Sequence, residues 1–143
     1  MEEIARQITS VILGISFIWI GIQHFRDPEW FEPIVPEILG APRFWVLASG
    51  AVEIIIGMML IFPKTQKIGG RSCAILLIIL YWANLNMWIN DIPIGGQSFE
   101  DKWHVLRLII QLLLISIALF IGKTFSINAS ATENMGKILP KQD

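Results

Sequence analysis

At 143 residues, with 54% hydrophobic and 16% charged residues and a mean hydropathy of +0.60, the chain has the length of one domain and a composition far from soluble norms, which points to a membrane protein. A formal net charge of −1, with no basic motif and no Gly-rich phosphate loop, excludes nucleic acid as a partner. The single cysteine, Cys73, excludes an intramolecular disulfide and a Cys-x-x-Cys relay, and reads as a packing residue.

The first apolar segment, residues 5–23, begins beside Glu2, Glu3 and Arg6, without the net-positive flank or A-x-A-like cleavage site of a signal peptide, and is expected to stay as a membrane helix. Ser10, Gly14 and Gly21 share one face of it, a small-residue stripe suited to packing against another helix. Residues 24–43 are a polar-aromatic connection, expected to form an interfacial loop or short helix. Asp27 and Pro28 read as N-cap and first helical position, Pro36 opens a further turn and Gly40 closes it. Trp30, Phe31, Ile34, Val35, Ile38 and Leu39 are expected to form an apolar underside, with Glu29, Glu32 and Glu37 toward water. Such a segment serves either as an interfacial anchor or as a lid.

The second helix, residues 44–62, carries a carboxylate in the middle of an apolar run. At about 1.5 Å per residue Glu53 lies roughly 13 Å below the surface of a hydrocarbon core roughly 30 Å thick. A charge there costs roughly 2.5 to 3.5 kcal/mol on insertion scales, so it must turn inward to a partner or a water-filled cavity. Gly50, Glu53 and Gly57 fall on one stripe, and the two glycines let a neighbouring helix come close beside the carboxylate.

A basic turn, residues 63–67, leads to a third helix over residues 68–90. Near its end Tyr81, Asn84 and Trp88 share a face. Asn84 reads as either packing glue or site lining, whereas Asn86 and Asn90 are expected to be solvated at the interface. After a polar loop the fourth helix, residues 103–122, aligns His104, Arg107 and Gln111 at i, i+3 and i+7. The polar tail, residues 123–143, is expected to be a frayed or surface segment, in which Asn128-Ala129-Ser130 matches the glycosylation pattern by accident.

Four spans put both termini on one side. Arg6, Lys64, Lys67, Arg71, Lys123, Lys137 and Lys141 fall on that side, against Arg26, Arg43, Lys102 and Arg107 on the other, which predicts cytoplasmic termini. The expectation is an all-α, multi-pass protein of a bacterial or archaeal cytoplasmic membrane, a four-helix bundle in one domain. Helical rise puts Arg107, Asn84, Gln111 and Glu53 in one layer of the outer half. Arg107 is expected to pair with Glu53, with Asn84 and Gln111 satisfying the remaining donors and acceptors and His24 and His104 nearby. The layer is either a ligand-binding pocket or a buried ion pair that only sets helix register. Two histidines without a spaced third ligand do not make a metal site, and no Ser-His-Asp triad or glycosidase carboxylate pair is legible.

The run Gly21-Ile22-Gln23-His24-Phe25, Ile34-Val35-Pro36, Ser49-Gly50 with Glu53 and Gly57, Asn84-Leu85-Asn86-Met87, and Arg107 with Gln111 resemble the DoxX family of small four-helix membrane proteins. The resemblance implies a link to membrane-bound oxidoreductases. On it rests the expectation of a small subunit that contributes a quinone or small-molecule pocket to a larger redox complex in the bilayer. The alternative is a non-catalytic assembly or scaffold protein.

Overall fold

The structure, a computed structural model, describes residues 1–123; the tail expected to be frayed and its Asn128 pattern lie outside the described residues. It is all-α, with helices α1 (Glu2–Arg26), α2 (Pro28–Phe31), α3 (Pro42–Ile61), α4 (Gln66–Ile89) and α5 (Asp101–Ile121), and two single 3-10 turns, Glu32–Ile34 and Glu37–Leu39. Four of these helices, α1, α3, α4 and α5, are long and apolar enough to cross a membrane. Their outward faces are largely apolar, with Ile12, Ile75 and Leu113 more than half exposed, and the exposed Ser16 and Ser116 hydroxyls donate to carbonyls of their own helices, which suits hydrocarbon.

The helix ends follow local chemistry. α1 stops where the Asp27 N–H closes on the Gln23 carbonyl and Pro28 can no longer donate. Pro28 and Pro42 each occupy the first turn of the helix they open. The α3–α4 turn is sewn by side chains: Thr65 Oγ1 donates to the Met59 carbonyl at 2.9 Å and Gln66 Nε2 to the Leu60 carbonyl at 3.2 Å. The α4–α5 connection is pinched between Ile94 and Gln97, whose main chains exchange hydrogen bonds across Gly95 and Gly96. Both glycines have positive φ, 59° and 77°, which the turn requires and glycine accommodates without strain.

The closest packing joins α1 to α3. A β-carbon added at Gly14 would lie 2.7 Å from the Gly57 carbonyl oxygen, and one at Gly57 would lie 2.7 Å from the Gly14 carbonyl oxygen. The same reciprocal approach recurs at Gly21 and Gly50, at 2.7 and 2.9 Å. One further turn along, Ser10 Oγ donates to the Leu60 carbonyl at 2.7 Å. The two small-residue stripes are therefore each other's partners in an antiparallel pair. Between helices whose surroundings are apolar, such backbone proximity supplies the dispersion contacts that hydrophobic burial does not.

The dense core lies at the end of the molecule that holds the N-terminus. Leu13 and Phe17 from α1, Ile56 and Leu60 from α3, Cys73 and Ala74 from α4, and Ala118 and Ile121 from α5 close it. Cys73 is fully buried there, in the packing role that free cysteines commonly take. At the opposite end the helices separate, and the segment between α1 and α3 roofs the gap.

That segment departs from a flat interfacial underside. Phe31, Ile34, Val35 and Leu39 turn inward over the gap, whereas Trp30 and Ile38 remain outside, Ile38 at 84% exposure. Asn86 Nδ2 donates to the Ile34 carbonyl at 3.2 Å and accepts on Oδ1 from Asn90, while Trp45 Nε1 donates to the Leu39 carbonyl at 3.3 Å. Asn86 is thus a tether for the roof and not a solvated interfacial amide; the roof carbonyl comes within reach because the 3-10 turn Glu32–Ile34 packs against α4.

Replacing Gly14, Gly21 or Gly57 by Ala is expected to destabilise the protein by about 1–3 kcal/mol, the usual cost of overpacking a close contact. Leu113→Ala on the exposed face of α5 should stay within about 0.5 kcal/mol. Thermal or SDS unfolding in a mild detergent measures both.

Candidate functional site

Two adjoining cavities fill the gap under the roof. The inner one, about 330 Å³, is lined by Glu53, Asn84, Gln111 and His24 together with Phe17 and Leu77. The other, about 420 Å³, lies between α3 and α4 and is almost wholly apolar, with Trp45, Val52, Ile79 and Trp82 among its walls. All four of these walls are also exposed on the outside of the molecule, so this cavity opens sideways. His24, Phe31, Ile34, Leu80 and Ala83 line both cavities and form the partition.

Glu53 is 4% exposed. Its stripe faces α1 because Gly50 and Gly57 are fitted against Gly21 and Gly14, and that choice of neighbour determines its partner. His24 packs its Cβ against Gly50, in space that a β-carbon there would close to 2.6 Å. The imidazole turns back along α1, placing Nδ1 2.9 Å from the Ile20 carbonyl and 3.3 Å from Glu53 Oε2. A carbonyl only accepts, so Nδ1 carries the hydrogen and donates it to Ile20. Glu53 Oε2, sealed behind it, has no hydrogen-bond partner. Phe31 of α2 stacks on the other side of the imidazole, ring centroids 4.0 Å apart and planes 18° from parallel.

The remaining polar residues divide into two groups. Gln111, buried on α5, donates Nε2 to the Leu77 carbonyl of α4 at 2.5 Å, and so both ties these helices and lines the inner cavity. Asn84 is half-buried in the same wall. Arg107 and His104 stand apart. Arg107 makes no ion pair with Glu53: its Nη1 lies 3.3 Å from Met87 Sδ and its guanidinium 4.4 Å from the centre of the Phe99 ring. The expected Glu53–Arg107 pair is not formed; the His24 imidazole lies against Glu53 Oε2 instead, in contact and without a hydrogen bond. The glycines turn Glu53 toward α1, and Arg107, one turn of α5 beyond Gln111, leans over the α4–α5 connection. His104 is buried in an aromatic cluster, stacked on Trp88 at 5.5 Å and edge-on to Phe99, with Trp88 Nε1 donating to Asp101 at 3.0 Å.

Sequence reasoning put Arg107, Asn84, Gln111 and Glu53 in one layer, with His24 and His104 as further candidates; the structure brings Glu53, Asn84, Gln111 and His24 to one cavity and leaves Arg107 and His104 outside its lining. It missed Phe31, Trp45, Val52, Trp82 and Ala83, which complete the partition and the side opening. The two glycine stripes were legible, but not the pairing of Gly21 with Gly50 that puts His24 beside the carboxylate; the apolar walls had no signal, because an aromatic or β-branched residue in such a helix equally suits lipid.

A family model described as a domain of unknown function (DUF8561) matches residues 13–122. It overturns the DoxX resemblance: the motifs behind that resemblance are short runs and glycine spacings that close helix packing and a buried polar layer demand of many small membrane proteins. The redox-subunit expectation, which leaned on that resemblance, loses its support. No curated protein and no solved structure gives a significant match.

In a double-mutant cycle, His24→Ala and Glu53→Gln should be non-additive, with a coupling of about 0.5–3 kcal/mol, whereas Arg107→Ala and Glu53→Gln should add to within about 0.5 kcal/mol. Unfolding in detergent of the single and double variants measures both. Additivity for the first pair would show that the imidazole and the carboxyl do not interact.

Proposed function

We propose that this chain, which belongs to the DUF8561 family, is a multi-pass membrane protein that binds a small lipid-soluble molecule, of quinone size, entering sideways from the bilayer. The observation that carries this reading is the buried Glu53 carboxyl, with one oxygen unpartnered, lining a polar cavity beside an apolar cavity that opens on the outer surface. A carboxyl kept only to fix helix register would have its hydrogen bonds satisfied by the protein, since an unsatisfied buried polar atom costs about 1–3 kcal/mol. The two cavities, about 330 and 420 Å³, are of the size that small-molecule sites have, roughly 300–1,000 Å³ with few polar groups among apolar walls. In this reading the roof is a lid held by Asn86 and Trp45, and the termini face the cytoplasm, as the basic residues direct.

Trp45 and Trp82 line the sideways cavity, so a short-chain benzoquinone should quench the tryptophan fluorescence of the purified protein saturably. Ala83→Phe, which fills the partition, should abolish the saturable component while the protein stays folded. Unsaturable quenching that is the same in both proteins would rule the pocket out as a binding site. Reporter fusions after Lys67 should report cytoplasm, and fusions between Asp91 and Lys102 the opposite side; the reverse pattern would invert the orientation.

A further inference from the structure

The polar groups of the inner cavity are unbalanced in a way that specifies the ligand's head. Because Nδ1 of His24 holds its hydrogen for the Ile20 carbonyl, the lone pair of the neutral ring is on Nε2, in a side chain that lines both cavities. Gln111 gives its Nε2 to the Leu77 carbonyl and keeps an amide oxygen, which only accepts. Glu53 Oε2 is sealed against the His24 N–H at 3.3 Å, so the oxygen left to a ligand is Oε1, which accepts when the carboxyl is ionised. Three side chains therefore present acceptors, and the donors beside them are the Asn84 NH₂ and the second N–H of Gln111.

We infer that the ligand, given the lipid-soluble occupant proposed above, is a single-tailed amphiphile with a hydroxyl head that donates to the Glu53 carboxyl and accepts from Asn84, its tail lying past the His24–Phe31 partition in the cavity walled by Trp45, Val52, Ile79 and Trp82. The geometry selects a hydroxyl because one oxygen both donates and accepts. A head with carbonyl or ether oxygens alone, a benzoquinone included, still binds through its apolar part but more weakly, because it leaves the acceptors unmatched. The cavity sizes agree: the inner one admits a ring or a short polar head, and the apolar one holds chain atoms and leads outward between α3 and α4. An anionic head is disfavoured, since no described cation lines the inner cavity and the Glu53 carboxyl there would repel it.

The test compares para-dodecylphenol with its methyl ether, which has the same tail and no hydroxyl hydrogen, on the full chain in detergent micelles. The phenol should bind about tenfold tighter than the ether or better, the equal of about 1.4 kcal/mol, and should protect Glu53 from labelling by dicyclohexylcarbodiimide, read by peptide mass, where the ether does not. In Glu53→Leu the phenol-to-ether ratio should fall toward one while the ether still binds. Should that variant fail to fold, the affinity ratio and the labelling of the parent protein decide by themselves. Equal binding of phenol and ether to the parent overturns the hydroxyl head and leaves the pocket standing. Preference for the phenol without protection of Glu53 overturns the carboxyl as its acceptor. Binding of neither probe, with labelling unchanged by both, overturns the pocket reading and this inference with it.

Discussion

Everything at the open end of this molecule depends on how closely α1 and α3 approach. Two reciprocal contacts, Gly14 with Gly57 and Gly21 with Gly50, bring main chain to main chain at distances that any β-carbon would forbid, and the Ser10 hydroxyl continues the seam by donating to the Leu60 carbonyl. Helices in an apolar medium gain little from burying one more leucine, because lipid is as apolar as a leucine-lined groove. Removing side chains altogether lets dispersion between backbones hold the pair. The same seam turns Glu53 toward α1 and opens the space over Gly50 in which His24 sits.

The seam runs along a molecule whose two ends are packed differently. Toward the N-terminal end the four long helices converge on a closed apolar core around Leu60, Cys73 and Ala118. There Glu3 pairs with Arg6 of its own helix and with Lys123, just past α5, exposed pairs that add little to stability. Toward the other end α3 and α4 diverge, and the chain after α1 roofs the resulting gap with Phe31, Ile34, Val35 and Leu39. A low-dielectric interior makes each polar group there expensive unless it is matched. The protein matches Gln111 and Asn86 internally, through the Leu77 and Ile34 carbonyls, and leaves a Glu53 oxygen without a partner. Arg107, which would have neutralised the carboxyl, is instead occupied with Met87 and Phe99. The polar cavity is thereby left acidic and rich in acceptors, and not self-neutralised.

By itself the sequence determined the all-α architecture, the four apolar helices, the turns at Pro28, Pro36 and Gly40, and the level along the bundle at which Glu53, Asn84 and Gln111 meet. Each of these follows from one-dimensional quantities: apolar run length, helical rise and the restricted backbone of proline and glycine. It also marked both small-residue stripes, since a face is legible from spacing alone. Which stripe meets which was decided only in three dimensions, because spacing states that a face packs closely and is silent about its neighbour. That choice set His24, and not Arg107, against Glu53, though both lay within reach along the helix axes. The roof's inward turn, the tether from Asn86 and the sideways cavity arise only when distant segments converge. Trp45, Val52 and Trp82 carry no signal of their own, since the apolar surface that lines a cavity between helices has the same chemistry as the surface that faces a membrane.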